Sequence, residues 1–355
     1  MKYKEETVNN IYSKSRKAAA SVSRQGKAGI LIALLVVLIS IISLMIGKIY
    51  IHPVTVVKII GSNFFPVTPD WSPTVESIIM NVRLPRLAAG LLVGAGLSIS
   101  GASFQGLFRN PLVSPHILGV ASGAGFGAAL GILLSDSLVV IQIAAFMSGM
   151  LAVIMAYLLS RVYHTSPVLM LVLAGIIVGS LFSALTSFLK YIADPMNRMP
   201  AIVFWLMGSL NNVTGRDLLF AGPVFVVCIS VLLLIRWRIN VLSMGEEDAK
   251  AMGVNTELTG AVIILCSTII TAAAVCISGI IGWIGLVIPH IGRLLVGPDH
   301  RHLLPVSLLV GAGYLVAVDT IARSIMVVEV PIGILTALIG APFFAILLRK
   351  NRPGW

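Results

Sequence analysis

Charged residues are scarce in this sequence of 355 residues. Asp, Glu, Lys and Arg make up 11% of it, whereas hydrophobic residues make up 57% and the mean hydropathy is +1.00. So few charges cannot cover the water-facing surface of a soluble globular protein of this length. The composition therefore excludes an ordinary soluble protein and predicts an all-α polytopic membrane protein.

Acidic residues are especially few. The 14 Asp and Glu are outnumbered by 25 Lys and Arg, which leaves a formal charge of +11. A basic excess is one signature of nucleic-acid binding, but in so apolar a chain it is explained more simply by Lys and Arg that hold loops on the cytoplasmic side. We therefore predict a lipid bilayer, and no nucleic acid, as the surroundings of this chain.

Cysteine is also rare, and enzyme motifs are missing. Cys228, Cys266 and Cys276 all lie in apolar runs without paired or metal-like spacing, as is typical of small core residues. The sequence has no GxxxxGK[ST] phosphate loop, no HExxH and no coherent Ser/His/Asp set. We predict no catalytic, cofactor-binding or metal-binding residues, so that energy for any transport comes from an ion gradient or another subunit.

Long apolar runs dominate what is present. Residues 1–27 form a basic tail, and the run from Ala28 to Gly47 is too long for a secretory signal, which predicts a retained first span. At about 20 residues per span, the chain accommodates about ten transmembrane helices within a domain of residues 28–350. Lys and Arg counts across the loops place both termini, including residues 351–355, in the cytoplasm. The nine further segments lie near 84–107, 117–135, 138–160, 168–189, 217–236, 258–281, 283–297, 303–322 and 331–348.

Glycine recurs every four residues at Gly119, Gly123, Gly127 and Gly131. This spacing puts hydrogen-only positions on one helix face, which predicts close packing against another helix. A dinucleotide fingerprint is the alternative, but no strand precedes the run and its surroundings are apolar.

A weak internal repeat links two regions of the chain. Ile99-Ser100-Gly101 with Pro115-His116-Ile117 is echoed by Ile277-Ser278-Gly279 with Pro289-His290-Ile291. The copies begin at the second and seventh predicted spans, so they would cross the membrane in opposite senses, as two inverted-repeat halves. Prolines and polar groups at these breaks, Pro289 and His290 among them, would then flank a central pathway.

Residues 286–302 place a short polar cluster between two apolar segments, where a membrane protein keeps polar groups only if a cavity or partner satisfies them. That placement indicates transport. Beside it, His300 and His302 follow Asp299 in a predicted short loop, where a solvated basic cluster is favoured over a metal site.

The predicted cytoplasmic loop of residues 239–256 contains a short amphipathic helix. Glu246 and Glu247 open it, which suits the positive end of a helix dipole, and Gly253 closes it. Leu242, Met244, Ala249 and Met252 give it an apolar side. Spacing alone favours a solvated loop helix, and docking to a partner protein is the alternative.

Several separated motifs together resemble FecCD-type permeases, the membrane subunits of type II ABC importers for iron siderophores, haem and cobalamin. The resemblance covers roughly residues 30–350, in the right order. Its motifs are Arg83-Leu84-Pro85-Arg86, the 94–119 stretch with Asn110-Pro111-Leu112, Gly245-Glu246-Glu247, residues 285–291, Asp299-His300-Arg301, Asp319 to Arg323, residues 329–333 and residues 336–342.

The resemblance implies a set of partners and residue roles. Two permease copies, as a homodimer or heterodimer, would surround the pathway. Two ATPase subunits would bind ATP and Mg below them, and a lipoprotein or periplasmic protein would deliver substrate from above. ATPase coupling would fall to Leu242, Gly245, Glu246, Glu247, Ala249, Met252 and Gly253, which strengthens the docking alternative. Arg83, Arg86 and Arg323 would face outward and dock the binding protein, although Asp319 and Arg323 could pair instead.

The resemblance also implies an inner gate at Asn110, Pro111 and Leu112, with Thr165 and Ser166 in the corresponding connection. Core packing is the competing role for Leu112. We therefore expect a permease of an ABC importer in the cytoplasmic membrane of a prokaryote. Its cargo would be an iron chelate, with a siderophore favoured by its frequency in the family and haem or cobalamin as the other cargoes. The rivals are a gradient-driven secondary carrier, which would need acids deep inside spans, and a membrane scaffold.

Overall fold

The computed structural model describes residues 26–66, 68–161 and 167–350, and in that part of the chain the regular structure is helical. Elements are numbered in chain order. They are α1 (Gly26–Met45), α2 (Pro53–Gly61), α3 (Pro73–Ser77), a π-helical turn (Ile78–Arg83), α4 (Leu84–Phe108), a 3-10 helix (Pro115–Leu118), α5 (Val120–Leu134), α6 (Leu138–Ser160), α7 (Pro167–Ile192), α8 (Arg198–Met207), α9 (Gly215–Leu234), α10 (Arg236–Leu242), α11 (Glu246–Ala251), α12 (Thr256–Ser278), α13 (Ile284–Val296), α14 (His300–Ala322) and α15 (Ile332–Lys350). The all-α membrane fold is confirmed.

Seven of the described helices are long and apolar enough to cross a membrane, and α5, α8, α13 and α15 are shorter apolar helices. Ten spans therefore remains a prediction. The sequence placed full spans at 117–135 and 283–297, but the helices there have 15 and 13 residues. Gly119 and Gly279 adopt left-handed φ angles of 81° and 66°, which interrupt the backbone inside apolar runs. Hydropathy could not detect these breaks.

The central helix of the fold is α4. It is buried along most of its length and packs against α9, α12, α13 and α14. Glycine permits these contacts: a Cβ added to Gly94 would lie 2.3 Å from the Gly311 carbonyl oxygen, and one added to Gly101 would lie 2.0 Å from that of Gly285. Because real Cβ atoms do not approach oxygen so closely, α4 requires glycine at these crossings.

The glycine series of α5 lies against two neighbours. A Cβ added to Gly123, Gly127 or Gly131 would lie within 3 Å of atoms of α6, at 2.1 Å from the Ala144 carbonyl oxygen for Gly127. Gly119 differs, because it precedes α5 in a left-handed conformation and faces the backbone of α7 at Gly175 and Gly179. Gly123, Gly127 and Gly131 thus contact α6, whereas Gly119 contacts α7 and provides the turn before α5.

Each copy of the internal repeat begins at the end of a long helix and is followed by a short one. Helices α4 and α5 form the first pair, and α12 and α13 form the second. The pairs meet at Gly101 and Gly285. Pro115 lies before α5, whereas Pro289 lies inside α13, so the local geometry of the copies differs. Their opposite crossing sense stays a prediction, and the tail through residue 25, Thr165, Ser166 and residues 351–355 lie outside the described residues.

Candidate translocation pathway and coupling surface

The N-terminal end of α4, called its outer end after the predicted orientation, carries a buried ionic network centred on Arg86, which is 4% exposed. Its guanidinium donates two parallel hydrogen bonds to Asp319, Nε at 3.0 Å from Oδ2 and Nη2 at 2.8 Å from Oδ1, and lies 2.9 Å from Glu329. Such bidentate pairing is the strong geometry for an arginine and a carboxylate. Arg86 therefore joins the start of α4 to the end of α14 and to the loop before α15.

Arg83 and Arg323 tie the same region to the end of α1. Arg83 donates hydrogen bonds to the carbonyl oxygens of Leu44 at 2.5 Å, Met45 at 3.0 Å and Ile49. Arg323 donates to the hydroxyl of Ser43 at 2.7 Å and lies 3.8 Å from Asp319. The last carbonyls of α1 cannot be bonded by a further helical turn, so the arginines supply hydrogen bonds there, and the Met45 carbonyl also accepts one from the Ile51 nitrogen at 3.1 Å.

These contacts correct the expectation that Arg83, Arg86 and Arg323 face outward. All three are buried, at 5%, 4% and 7% exposure. The physical reason is that an arginine at a helix end lowers its free energy most where both carboxylates and free carbonyls are within reach. The π-helical turn before Pro85 lies in the same place, where the proline nitrogen cannot donate to the helix. The exposed docking arginines predicted from the sequence are therefore not present in this structure.

A chain of hydrogen-bonded polar side chains lies around α13. Arg293 donates a 2.6 Å hydrogen bond to Gln105 of α4, and the Gln105 amide donates to the Gly285 carbonyl at 3.4 Å. His290, buried at 4% exposure, lies 3.4 Å from Arg293, and Phe343 and Phe344 approach its ring edge-on. Pro289 lies inside α13 beside it. The polar cluster recognised at 286–302 thus joins α13 to α4 inside the fold.

His300 corrects part of that cluster. It was expected in a solvated loop, but it is the first residue of α14 and 7% exposed, and its backbone nitrogen donates to Asn240 at 2.9 Å. The neighbouring Asp299 caps the helix, and hydrogen bonds from Arg301 keep the pKa of its carboxyl below the usual value. The buried ring packs against Gly106, where an added Cβ would lie 2.7 Å from Nε2 of His300.

At the C-terminal end of α4, called its inner end after the predicted orientation, the chain turns through exposed residues. Arg109 adopts a left-handed φ of 48° as α4 ends, and the Asn110 side chain accepts a 2.9 Å hydrogen bond from the Leu112 nitrogen. Leu112 is 54% exposed, which excludes core packing as its role within this chain. Pro111 completes the turn. These residues are placed where a partner or the pathway can meet them.

The coupling segment is anchored on one side and free on the other. Leu242 and Ala249 are buried at 4% and 0% exposure, whereas Glu246 and Glu247 are exposed in the first turn of α11. Gly245 and Gly253, with φ of 148° and 78°, bracket the helix. The predicted apolar side is divided, because Met244 and Met252 are 63% and 51% exposed. The exposed surface of this segment thus consists of Met244, Met252, Glu246, Glu247 and Asp248. Buried Leu242 and Ala249 hold the segment against the rest of the chain.

The inner turn and the coupling segment lie side by side. A Cβ added to Gly245 would lie 3.9 Å from Nη1 of Arg109 and 3.6 Å from Oδ2 of Asp248. Asn110–Leu112 and α11 lie in different predicted connections, so this proximity could not be predicted from the sequence. A displacement of α11 would reach the side chain of Arg109, the residue at which α4 ends.

One face of α7 carries serines that the sequence analysis missed. Ser180, Ser183 and Ser187 are exposed, and the Ser183 hydroxyl lies 3.3 Å from that of Ser122 on α5. Positions i, i+3 and i+7 share a helix face, so the signal was legible in the sequence. Exposed hydroxyls in the middle of an apolar helix indicate a face turned to water or a partner rather than to lipid.

The outer loops enclose a cavity of about 730 Å³, within the range of sites for small molecules. Its charged and amide side chains are Lys48, Asp136, Gln142, Arg198, Asn211, Asn212 and Glu329. Glu329 also binds Arg86, so the cavity adjoins the buried network. Its rim includes the exposed Arg198–Asp136 pair at 2.6 Å.

Comparison with known proteins identifies the family of the fold. The model of the FecCD transport family matches residues 34–350. The chain is 44% identical over 323 residues to the molybdate import system permease protein MolB of Haemophilus influenzae, covering 91% of this chain and 95% of that protein. It is 45% identical over 279 residues to the cobalamin import system permease protein BtuC of Halobacterium salinarum, covering 78% and 75%.

A solved structure described as an inward-facing conformation of a metal-chelate type ABC transporter has 44% sequence identity to this chain. The match covers 92% of this chain and 100% of that one, with a TM-score of 0.81.

Proposed function

Since this chain belongs to the FecCD transport family and is a permease of an ABC importer, we propose that it moves an iron chelate into the cell as one half of a permease dimer. Two separate ATPase subunits binding ATP and Mg drive the movement, and a lipoprotein or periplasmic protein delivers the cargo. The chain lies in the cytoplasmic membrane of a prokaryote with both termini inside. It performs no bond chemistry itself.

The observation that carries this proposal is the position of Gly245, the N-cap of α11, next to the guanidinium of Arg109 at the inner end of α4. Glu246, Glu247, Met244 and Met252 present an exposed surface to an ATPase, while buried Leu242 and Ala249 hold the segment to the body. Gly245 lies next to the Arg109 guanidinium, so a displacement imposed on α11 would reach the residue that precedes the gate turn. Coupling needs contacts that differ between two states, and this junction is where such a difference enters the chain.

The pathway in this proposal runs along the serine face of α7. Hydroxyls of Ser180, Ser183 and Ser187 offer weak hydrogen bonds without a charge that would hold a cargo tightly. A second permease copy facing this surface would keep it away from lipid. Small side chains leave room for a bulky chelate. The pathway therefore lets cargo pass without selecting it, and the external binding protein determines which cargo is transported.

A gradient-driven carrier fits the structure less well. Such a carrier needs an acid free to bind a proton or sodium deep in a span. Among the described residues, Asp217 lies in the first turn of α9 in a capping box and Asp319 in the last turn of α14 paired with Arg86. The other described acids lie in loops, in first turns or in short α11.

The binding protein should meet the outer loops rather than the buried arginines. Ile325, Met326, Val327 and Val328 form an exposed apolar run in the loop before Glu329, with Val327 at 89% exposure. Val327 and Val328 also line the outer cavity. An apolar run beside an open cavity is the kind of surface that a partner covers. Release of cargo there would place it at the outer end of α4.

A second cargo is favoured by one observation. The molybdate permease MolB of H. influenzae is 44% identical across 91% of this chain, whereas the Fe(3+)-citrate permease YfmE of Bacillus subtilis is 33% identical across 94%. Molybdate is an oxyanion that hydroxyl donors can also pass. We keep it as the alternative to an iron chelate.

Uptake into proteoliposomes tests the proposal. Vesicles holding the permease and a cognate ATPase, with binding protein outside and ATP with Mg inside, would be offered ferric siderophore, haemin, cobalamin and molybdate in parallel. We expect uptake of ferric siderophore that requires ATP and survives a proton ionophore. Uptake of molybdate alone would select the second cargo. Uptake without ATP that collapses with the ionophore would contradict the importer.

A further inference from the structure

A groove opens at the inner end of the molecule, where α1 and α14 begin and α9 ends. It has a volume of about 750 Å³ and is lined by residues of these helices and of α10. Gly26 and Gly29 of α1 leave it open, because a Cβ added at either position would meet no atom within 4 Å. Three candidate spans thus converge on one recess at the membrane boundary.

The polar rim of the groove is basic. Arg236, Arg301 and His302 line it, and exposed Lys27 follows Gly26. Arg301 is paired with Asp299, with Nε at 2.9 Å from Oδ2. In the described part of the chain Arg236 forms no ion pair. The groove therefore has an arginine available to an anion, next to a second arginine whose charge is partly balanced.

The remaining wall is apolar and continues toward the spans. Leu234 and Ile30 are 82% and 65% exposed, and Trp237, at 45%, lies beside Arg236. Tryptophan is enriched at membrane–water interfaces, where its ring is apolar and its N–H is polar. The groove thus has a basic rim that matches a phospholipid headgroup and an apolar wall that matches its acyl chains. The tryptophan lies between the two.

We propose that this groove binds an anionic phospholipid, with its phosphate at Arg236 and its acyl chain along Leu234 and Ile30. Basic recesses between spans on the cytoplasmic side are suited to such headgroups. A free phosphate would use the rim and leave the apolar wall uncovered. The ATPase is the competing occupant, but the exposed leucine and isoleucine lie on candidate spans, where lipid tails are the ordinary neighbour.

Native mass spectrometry of the full chain, released from nanodiscs of mixed phosphatidylglycerol and phosphatidylcholine, measures retained lipid without any transport partner. We expect the wild type to retain phosphatidylglycerol preferentially. Arg236→Gln should weaken that preference about fivefold, since a basic residue near an anionic surface contributes about 1 kcal/mol. Arg216→Gln is the matched control, because it removes an exposed arginine from the other end of α9.

Gly29→Leu tests the shape of the groove with all charges retained. A Cβ added at Gly29 meets no atom within 4 Å, and leucine favours the helix over glycine, so folding should be preserved. Filling the recess should lower phosphatidylglycerol retention severalfold, and circular dichroism would check that the helix content is unchanged. Glycerol phosphate added in solution should not compete at equal concentration, because it lacks the acyl chain.

Three results would overturn the proposal. One is equal retention of both lipids by the wild type. Another is equal loss of preference on Arg216→Gln and Arg236→Gln. The third is an unchanged lipid preference in Arg236→Gln together with weakened ATPase assembly, which would make the groove a protein contact. The assignment of this end as cytoplasmic rests on the proposed function, but lipid retention is measured without ATPase or cargo, so either proposal can fail alone.

Discussion

The two ends of α4 carry arginines in opposite situations. At the outer end, Arg86 is 4% exposed and bound to Asp319 and Glu329. At the inner end, Arg109 is exposed in a left-handed turn beside Gly245. The outer end is held together by groups of the same chain, whereas the inner end leaves acids, methionines and a turn uncovered.

This difference separates a structural role from a coupling role. A buried arginine whose partners are internal contributes to the folded state and offers little to another protein. The exposed residues of α11 can bind a partner protein without any unfolding, because buried residues of the same segment hold it in place. Substitutions at the outer end should therefore reduce stability first, and substitutions at the inner end should reduce function while stability is kept.

The largest effect is expected for Arg86→Ala. Removing this guanidinium takes the hydrogen-bonded partner from buried Asp319 and leaves Arg323, at 3.8 Å, as the nearest cation, so we expect a loss of about 3 kcal/mol in the free energy of unfolding. The apparent midpoint of thermal unfolding in detergent would report the loss.

The double variant Arg86→Met/Asp319→Leu is its control, because replacing both buried partners by apolar side chains is often neutral. We expect it to unfold at a higher temperature than Arg86→Ala. A midpoint for Arg86→Ala equal to that of the wild type would show that the network does not stabilise the outer end.

An intermediate effect is expected for Gly127→Leu, which lies on α5 away from both ends of α4. The new Cβ would lie 2.1 Å from the Ala144 carbonyl oxygen, so α5 and α6 must separate. Overpacking of this kind costs about 1–3 kcal/mol. Gly222→Leu on α9 is the matched control, since an added Cβ there meets nothing within 4 Å. Equal folded yields of the two variants would remove the glycine face from the packing account.

A small effect is expected for Arg198→Ala, which breaks the pair with Asp136 on the outer cavity rim. Asp136 is 89% exposed, so solvent screens the pair, and about 1 kcal/mol or less is expected. Arg198 and Arg86 are the same residue type on the same side of the molecule, and they differ in how far their ion pairs are buried. Thermal midpoints that fall equally for both variants would show that burial does not decide the outcome.

The apolar helices and the short helix α11 were predictable because apolar length and an acidic helix start are local properties of the chain, whereas the coupling role of α11 stays a prediction. Burial of the arginines could not be predicted from the sequence. The groups that Arg83 binds precede it by 34 to 39 residues, and Asp319 follows Arg86 by 233. The break at Gly119 also escaped, because composition does not show φ. The serine face of α7 was legible in spacing, yet only the tertiary structure shows that it is uncovered.

The measurement that tests the account most directly uses Glu246→Lys/Glu247→Lys, with Glu76→Lys as an exposed first-turn control at the outer end. Each reversal should cost about 0.3–1 kcal/mol through the helix dipole, too little to unfold the chain. We predict a folded variant that no longer copurifies with its ATPase or supports ATP-driven uptake, while Glu76→Lys keeps both. A double variant that assembles with the ATPase and transports at the wild-type rate would contradict coupling through α11.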